Sequence, residues 1–382
     1  MTTPASPHAG RVLRVGTRGS ALALAQSGQV ADAVAAALAA SGSASGSTAS
    51  TVPQGFPESA PAVAVELVRI RTEGDVNRAA LASIGGTGVF VTAVRQALRD
   101  GTVDLVVHSA KDLPTAPESD LRLAAVPARE DPADALCSKD GRGLAELAPG
   151  ARIGTGSPRR AAQLLARRPD LEVVPIRGNV DTRLGYVDSG ELDAVLLAAA
   201  GLRRLGRAER ISQRLDPSEF VPAPAQGALA VETAAHPEVP WYQTGLAAID
   251  DLPTRLAAAA ERAVLAGLEA GCSAPVSALA VPDGDMLLLT AQVTAPDGSA
   301  QLTRQLRFPL PGTVAGRDGT GVDEPGSAGA DGADNADGAA GIAGTGVDPT
   351  AIAALEAPAV AAGLELASGL LADGAAGLMG RT

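Results

Sequence analysis

The chain has 382 residues, enough for two or three domains, and with aromatics at 2% against 46% hydrophobic overall its cores must be aliphatic and alanine-built. A net charge of −12 argues against non-specific nucleic-acid binding, and two cysteines, Cys137 and Cys272, give no disulfide framework and suit a reducing cytosol. No apolar run of membrane-spanning length is read and Met1 to Gly10 lacks the order of a secretory signal, so the expectation is a cytoplasmic protein with no membrane partner.

Leu13 to Gly16 reads as a first strand, and Ser20 is placed to cap a helix over Ala21 to Ala40. Arg18 and Ser20 at this strand-to-helix turn make an anion site plausible, because free backbone N–H groups point outward there. Residues 41–61 read as a flexible Ser/Gly/Ala/Pro-rich insertion. A second strand spans Val63 to Arg71, a glycine-bearing loop runs from Thr72 to Gly88, and a helix covers 89–99. The apolar run Leu105-Val106-Val107 then breaks into His108, Ser109, Lys111 and Asp112, and Pro114 forbids an immediate helix. That βαβαβ order marks a mostly parallel sheet, whose strand ends are where ligands bind. Taken alone, Lys111-Asp112 is equally a solvated turn, and His108 a satisfied core or edge histidine. Lys111 is conspicuous because only two of the 31 basic residues are lysines.

The pattern repeats further on. Strand 151–155 leads into Gly156-Ser157-Pro158-Arg159-Arg160, where serine at the cap and proline at the first helical position start a helix through Arg168. Arginines in that first turn oppose the helix dipole unless an anion sits between them; the alternative is that both lie out in solvent. Strand 171–176 ends in Arg177-Gly178-Asn179, with Arg183 following, and strand 193–199 leads to Arg203-Arg204. Twelve arginines fall between Arg152 and Arg214, a basic face inside an acidic protein. Val221 to Gly227, with Gln226, reads as a crossing segment, and 228–232 as a strand returning to the first sheet. From Pro253 the character changes: helix 254–269, a tight loop holding Cys272, three strands at 276–281, 286–293 and 301–308 joined by Asp-Gly turns, a Gly/Asp/Ala-rich stretch 311–349 expected to be disordered, and a closing helix over 350–372.

Seven stretches, in family order, make the chain resemble porphobilinogen deaminase, also called hydroxymethylbilane synthase: Val15 to Ser20, Val107 to Pro114, Gly154 to Arg160, Arg177 to Arg183, Ala200 to Gly206, Pro224 to Gly227 and Glu269 to Cys272. The resemblance implies an α/β fold. Two periplasmic-binding-protein-like domains with mixed, mostly parallel sheets would occupy 1–127 (with 228–245 returning) and 133–221. A small α+β domain with a three-stranded antiparallel sheet would occupy 250–382. It implies a covalent dipyrromethane cofactor on the Cys272 thiol, onto which four porphobilinogens are added head to tail with loss of ammonia before water releases hydroxymethylbilane.

Each pyrrole carries an acetate and a propionate, and guanidinium forks bind such carboxylates bidentately without deprotonating. By resemblance, Ser20, Lys111, Asp112, Thr155, Ser157, Arg159 and Arg160 hold the cofactor, and Arg18, Ser109, Arg177, Gly178, Arg183, Arg204 and Gln226 bind substrate. Asp112 is the implied catalytic residue: a carboxylate that accepts pyrrole N–H bonds, stabilises the cation left by departing ammonia and shuttles protons. Ser83 and Thr87 stand where the family often has lid lysines, so that role is not carried over, and Gly156 replaces a common hydroxyl. No metal is implied, and a monomer is expected. Two other readings exist: a non-catalytic two-lobed receptor for small acids explains the arginines but not Lys111-Asp112 with Cys272, and a Lys111 Schiff-base enzyme leaves the arginines unexplained.

Overall fold

The computed structural model describes residues 10–43, 63–70, 88–235, 239–271, 274–310 and 349–380. The two expected insertions and the glycine loop with Ser83 and Thr87 lie outside these residues except at their edges. In chain order the first lobe contributes β1 (Val12–Thr17), α1 (Ala21–Ser43), β2 (Ala64–Arg69), α2 (Gly88–Arg99), β3 (Leu105–Ser109) and β4 (Leu121–Ala125). The second contributes β5 (Asp134–Ser138), β6 (Arg152–Thr155), α3 (Pro158–Arg167), β7 (Glu172–Pro175), α4 (Val180–Asp188), β8 (Ala194–Ala198), α5 (Ala199–Arg204) and β9 (Gln213–Arg214). The chain then returns through β10 (Leu229–Ala234) and α6 (Gln243–Ile249). It ends in α7 (Leu252–Gly267), β11 (Val276–Asp283), β12 (Met286–Thr294), β13 (Gln301–Pro309), α8 (Pro349–Ala372) and α9 (Ala375–Leu378).

The first sheet has the order β2-β1-β3-β10-β4 and the second β7-β6-β8-β5-β9. In each, three neighbouring strands are parallel and a fourth, β10 or β5, is inserted antiparallel. The antiparallel strand of the first sheet is supplied only after the second lobe is complete, so the chain crosses between lobes twice, near 126–133 and 215–228. Two such lobes are the periplasmic-binding-protein arrangement expected from the sequence, and the third sheet, β11-β12-β13, is antiparallel as expected.

Periodicity explains the layers. Val30, Val34 and Leu38 of α1, at a helical spacing, meet Leu13 and Val15, which alternate on β1. With few aromatics, the third unit is closed by small residues instead. A Cβ at Gly363 of α8 would fall 2.2 Å from the Ala260 carbonyl oxygen of α7, so the two helices touch backbone to backbone. Two strands, β4 and β5, were not anticipated in what read as a connecting region. Leu-Arg-Leu-Ala-Ala and Asp-Ala-Leu-Cys-Ser are short and alanine-bearing, with no β-branched run to announce them. The reading that no stretch is apolar enough to span a membrane also needs correction. α1 over Ala21–Ser41 and α8 over Thr350–Ala372 are long and apolar enough by composition, with mean hydropathy 1.2 and 1.4. The cause is alanine, which counts as apolar without packing bulk. One face of each helix lies on a core, and α8 leaves Leu364 and Leu371 exposed.

The third unit is tied to the crossing segments by Glu261 of α7, whose side chain has no solvent exposure. Its Oε1 accepts from Arg129 Nη1 (2.6 Å) and Ala280 N–H (2.8 Å), and its Oε2 from Arg129 Nη2 (2.9 Å) and Ala225 N–H (2.6 Å). Removing one partner of a buried ion pair strands the other. Glu261→Ala is therefore expected to cost about 3–5 kcal/mol of stability in denaturant unfolding. Asp373→Ala, which breaks the exposed pair with Arg304, should leave the unfolding curve nearly unmoved.

Candidate active site

β3 runs out into a single 3-10 turn, Ala110–Asp112, which Pro114 prevents from lengthening. The turn is fixed to the sheet where Ala110 N–H donates to the Ala228 carbonyl (3.0 Å) beside β10. Across from it, Ser20 begins α1, its Oγ accepting from Ala23 N–H (3.3 Å) as the cap residue should. Gln26, one helical turn and a half later, donates to Ser109 Oγ (3.3 Å). Between these elements lies a pocket of about 110 Å³ lined by Arg18, Ser20, Gln26, His108, Ser109 and Asp112, among others. Four expected site residues from two separate stretches thus share one cavity at the carboxyl edge of the first sheet, beside a helix start. His108 Nε2 lies 3.1 Å from Glu232 Oε2, and Arg95 grips the same carboxylate through Nε and Nη2 at 2.8 and 2.6 Å. Burial pushes the Glu232 carboxyl up, but hydrogen bonds from Arg95 and His108 outweigh it and hold it near a pKa of about 2. His108 is thus a buried histidine set against a carboxylate.

In the second lobe Thr155 Oγ1 accepts from Ser157 N–H (3.2 Å), and Ser157 Oγ accepts from Arg160 N–H (3.4 Å) at the start of α3. The arginines after it meet an anion, and the anion belongs to the protein. Asp134, fully buried at the start of β5, receives Arg159 Nη2 at 2.6 Å and Arg160 Nε at 2.8 Å. Arg159 Nη1 and Arg160 Nη1 go to the carbonyls of Val221 and Leu196. Burial alone would raise the Asp134 pKa; the two guanidiniums and Gln226 override it and bring it to about 2. Gln226 is equally buried. Its Nε2 donates to Asp134 Oδ1 (2.8 Å), while its Oε1 accepts from Arg160 Nη2 (3.2 Å) and from Lys111 Nζ (3.3 Å) in the opposite lobe. Crowded by protein, the Lys111 ammonium is pushed down to a pKa of about 8, chiefly by desolvation, which the neighbouring Asp112 partly opposes.

Arg177 and Gly178 are exposed at the end of β7, while Arg183 on α4 and Arg204 at the end of α5 are half-buried. Arg204 Nη2 donates to the Gly227 carbonyl at 2.8 Å. Burial lowers the pKa of Arg159, Arg183 and Arg204, and the Nε of each is buried without a hydrogen-bond partner among the described residues. Desolvated cations with unspent donors favour an added anion. A Cβ at Gly156 would stand 2.5 Å from the Ile176 carbonyl oxygen, so this backbone has no room for the hydroxyl that resemblance places there. Cys272, the expected anchor, lies outside the described residues; of its flanks, Ala274 N–H donates to the Gly271 carbonyl (3.0 Å).

Four residues of this network were not singled out from the sequence: Arg129, Asp134, Glu261 and Arg262. Charged residues set inside apolar surroundings, Glu261-Arg262 within an alanine-rich helix and Asp134 opening an apolar strand, were the available signal. Ala225 has φ +59°, a left-handed conformation that a non-glycine residue adopts at a cost of roughly 1–3 kcal/mol. Its N–H bond to Glu261 holds that conformation and turns the next side chain, Gln226, inward.

A family model described as "Porphobilinogen deaminase, dipyromethane cofactor binding domain" matches residues 13–239, and one described as "Porphobilinogen deaminase, C-terminal domain" matches 255–319. The porphobilinogen deaminase of Leifsonia xyli subsp. xyli is 53% identical over 293 residues, covering 76% of this chain and 82% of that one. Porphobilinogen deaminase 1 of Streptomyces coelicolor is 48% identical over 374 residues, covering 97% and 98%. Among solved structures, a periplasmic sulfonate-binding protein of Methylobacillus flagellatus aligns with TM-score 0.33 at 13% identity, covering 65% of this chain and 68% of that one.

Asp134 supplies the pH test of this site. Its folded pKa of about 2 lies below the unfolded value, so its stabilisation is fully present above about pH 4 and is lost as pH falls towards 2. Thermal unfolding should show that acid limb in the parent protein. Asp134→Asn should be destabilised by about 3–5 kcal/mol at neutral pH and should have a shallower limb below pH 4.

Proposed function

Because the chain belongs to the porphobilinogen deaminase family, we propose that its chemistry runs on Asp112 in the cleft between the lobes, with the cofactor anchored on Cys272. The activity is that of a transferase, hydroxymethylbilane synthase. It joins four porphobilinogens head to tail onto a dipyrromethane cofactor with loss of ammonia, and hydrolysis then yields hydroxymethylbilane for tetrapyrrole biosynthesis.

The observation that carries the residue assignment is the shared pocket of Arg18, Ser20, Ser109 and Asp112. The donor set suits a ligand rich in carboxylates: hydroxyls at Ser20, Thr155 and Ser157, the Lys111 ammonium, and buried guanidiniums with unspent Nε–H groups. Ser20, Lys111, Asp112, Thr155, Ser157, Arg159 and Arg160 would hold the dipyrromethane. When bound, it supplies the electron-rich pyrrole carbon at which the product grows. Arg18, Ser109, Arg177, Gly178, Arg183 and Arg204 would take the acetate and propionate groups of porphobilinogen, and Gln226 would join the two sets by bridging Lys111 and Arg160. Asp112 would accept the pyrrole N–H and lower the energy of the positive charge that develops as ammonia leaves. It would also carry a proton to the departing amine and take one from the terminal ring.

The same reading divides the chain at 1–127 with 228–245, 133–221 and 250–382. It makes the enzyme a cytoplasmic monomer without nucleic-acid or membrane partners, in keeping with its acidity and its buried free Cys137. The intact mass of the purified protein should exceed the sequence mass by one dipyrromethane, and Cys272→Ser should abolish the excess; an excess that survives the substitution refutes the anchor. Asp112→Ala should fold with an unchanged far-ultraviolet spectrum and lose nearly all turnover, roughly 10²–10⁴-fold in kcat. A rate near that of the parent enzyme sinks the role given to Asp112.

A further inference from the structure

The turn that carries Lys111 and Asp112 has few bonds of its own: Leu113 N–H reaches the Ala110 carbonyl at 3.4 Å, and Ala110 N–H reaches Ala228. Its carbonyls are collected from outside the lobe. Arg262, half-buried on α7, donates through Nη1 to the Ala110 and Leu113 carbonyls, both at 2.9 Å, and through Nη2 to the Pro114 carbonyl at 2.5 Å. We propose that Arg262 is a positioning residue for Asp112, clamping its turn by three carbonyls to the helix that leads to the cofactor-bearing loop.

The geometry suits a guanidinium and not a simple charge. Two planar nitrogens span three acceptors on both sides of Asp112, so the fork fixes the position of the turn and its tilt. A lysine at 262 would supply a point charge on a flexible stem and could not define that plane. Arg262 follows Glu261 directly, so the rigidity of the Glu261–Arg129 bond passes to the clamp through one peptide unit. A carboxylate that must meet a pyrrole N–H within hydrogen-bond distance tolerates little drift, and misplacement by about 1 Å can cost 10²-fold in rate. This inference rests on Asp112 being the catalytic carboxylate.

The test uses holoenzyme, with the covalent mass confirmed for every variant. Arg262→Ala should keep the dipyrromethane mass and its KM for porphobilinogen within about threefold, while kcat falls about 10- to 100-fold. Millimolar guanidinium should restore part of that kcat and leave the parent enzyme unaffected. Arg262→Lys, which preserves charge and packing should the alanine variant fold poorly, should also lose kcat with a thermal midpoint close to that of the parent. Asp112→Ala is measured alongside. Wild-type kcat in both Arg262 variants beside an inactive Asp112→Ala overturns the clamp alone, as does a loss that appears only in KM or tracks thermal stability. An active Asp112→Ala overturns the assignment of Asp112 itself.

Discussion

Two carboxylates without access to water, Asp134 and Glu261, hold the parts of this enzyme in register. They are linked by one continuous path. Asp134 accepts from the Gln226 side chain, the Gln226 carbonyl accepts from Arg129 Nε at 2.8 Å, and Arg129 closes a bidentate pair with Glu261. Each carboxylate is met by donors on both oxygens, a guanidinium on every oxygen with amide donors beside it on both oxygens of Glu261 and on Asp134 Oδ1, the condition under which a buried charge is tolerable. Because the path runs through both crossing segments and into α7, the lobes and the third unit cannot shift independently without breaking a low-dielectric bond. The strained backbone at Ala225 belongs to the same device: it persists because Glu261 holds its N–H.

Burial also accounts for the choice of cation. An acidic protein with a basic cleft must keep its cations charged while partly removing them from water, and desolvation lowers the pKa of Lys111, Arg159, Arg183 and Arg204. Lys111 has already been brought to about 8, close enough to neutral for its charge to respond to solution pH. A guanidinium starts far higher than an ammonium and stays charged when desolvation lowers it, as in Arg159, Arg183 and Arg204. Twelve arginines in the span from Arg152 to Arg214, and no lysine there, follow from that difference. They keep an anion-binding surface charged at any pH where the fold survives.

Much of this was legible along the chain, because strand ends, caps and turns are local signals. Ser157-Pro158 marked the start of α3, Ser20 that of α1, and the Asp-Gly turns the last hairpins. The return of β10 to the first sheet was legible from its apolar pattern. The partners of those elements were not. Arg159 and Arg160 announced an anion, but Asp134 lies 25 and 26 residues upstream on a strand whose short alanine-bearing sequence gave no sign of itself. Nothing in the sequence of helix 254–269 says what Glu261 and Arg262 meet, and only the fold turns one towards Arg129 and the other onto the Ala110, Leu113 and Pro114 carbonyls. Alanine misled at larger scale too, since α1 and α8 are apolar in composition while packing only one face.

The way carboxylates are used in and around the cleft separates support from chemistry. Asp134 and Glu232 are each pressed to a pKa of about 2, Asp134 by two guanidiniums and Glu232 by hydrogen bonds from Arg95 and His108, so neither can take up a proton near neutral pH. They are spent on holding arginines in place. A group asked to steady a transient cation and to pass protons needs the opposite circumstances, access to the ligand and acceptor oxygens not already committed. Asp112, the residue we propose for that work, lines the pocket, and its turn is held through backbone carbonyls. Rigidity delivered through the main chain leaves the side chain free to act. On that proposal one site is both firmly built and chemically available as successive rings pass the same carboxylate.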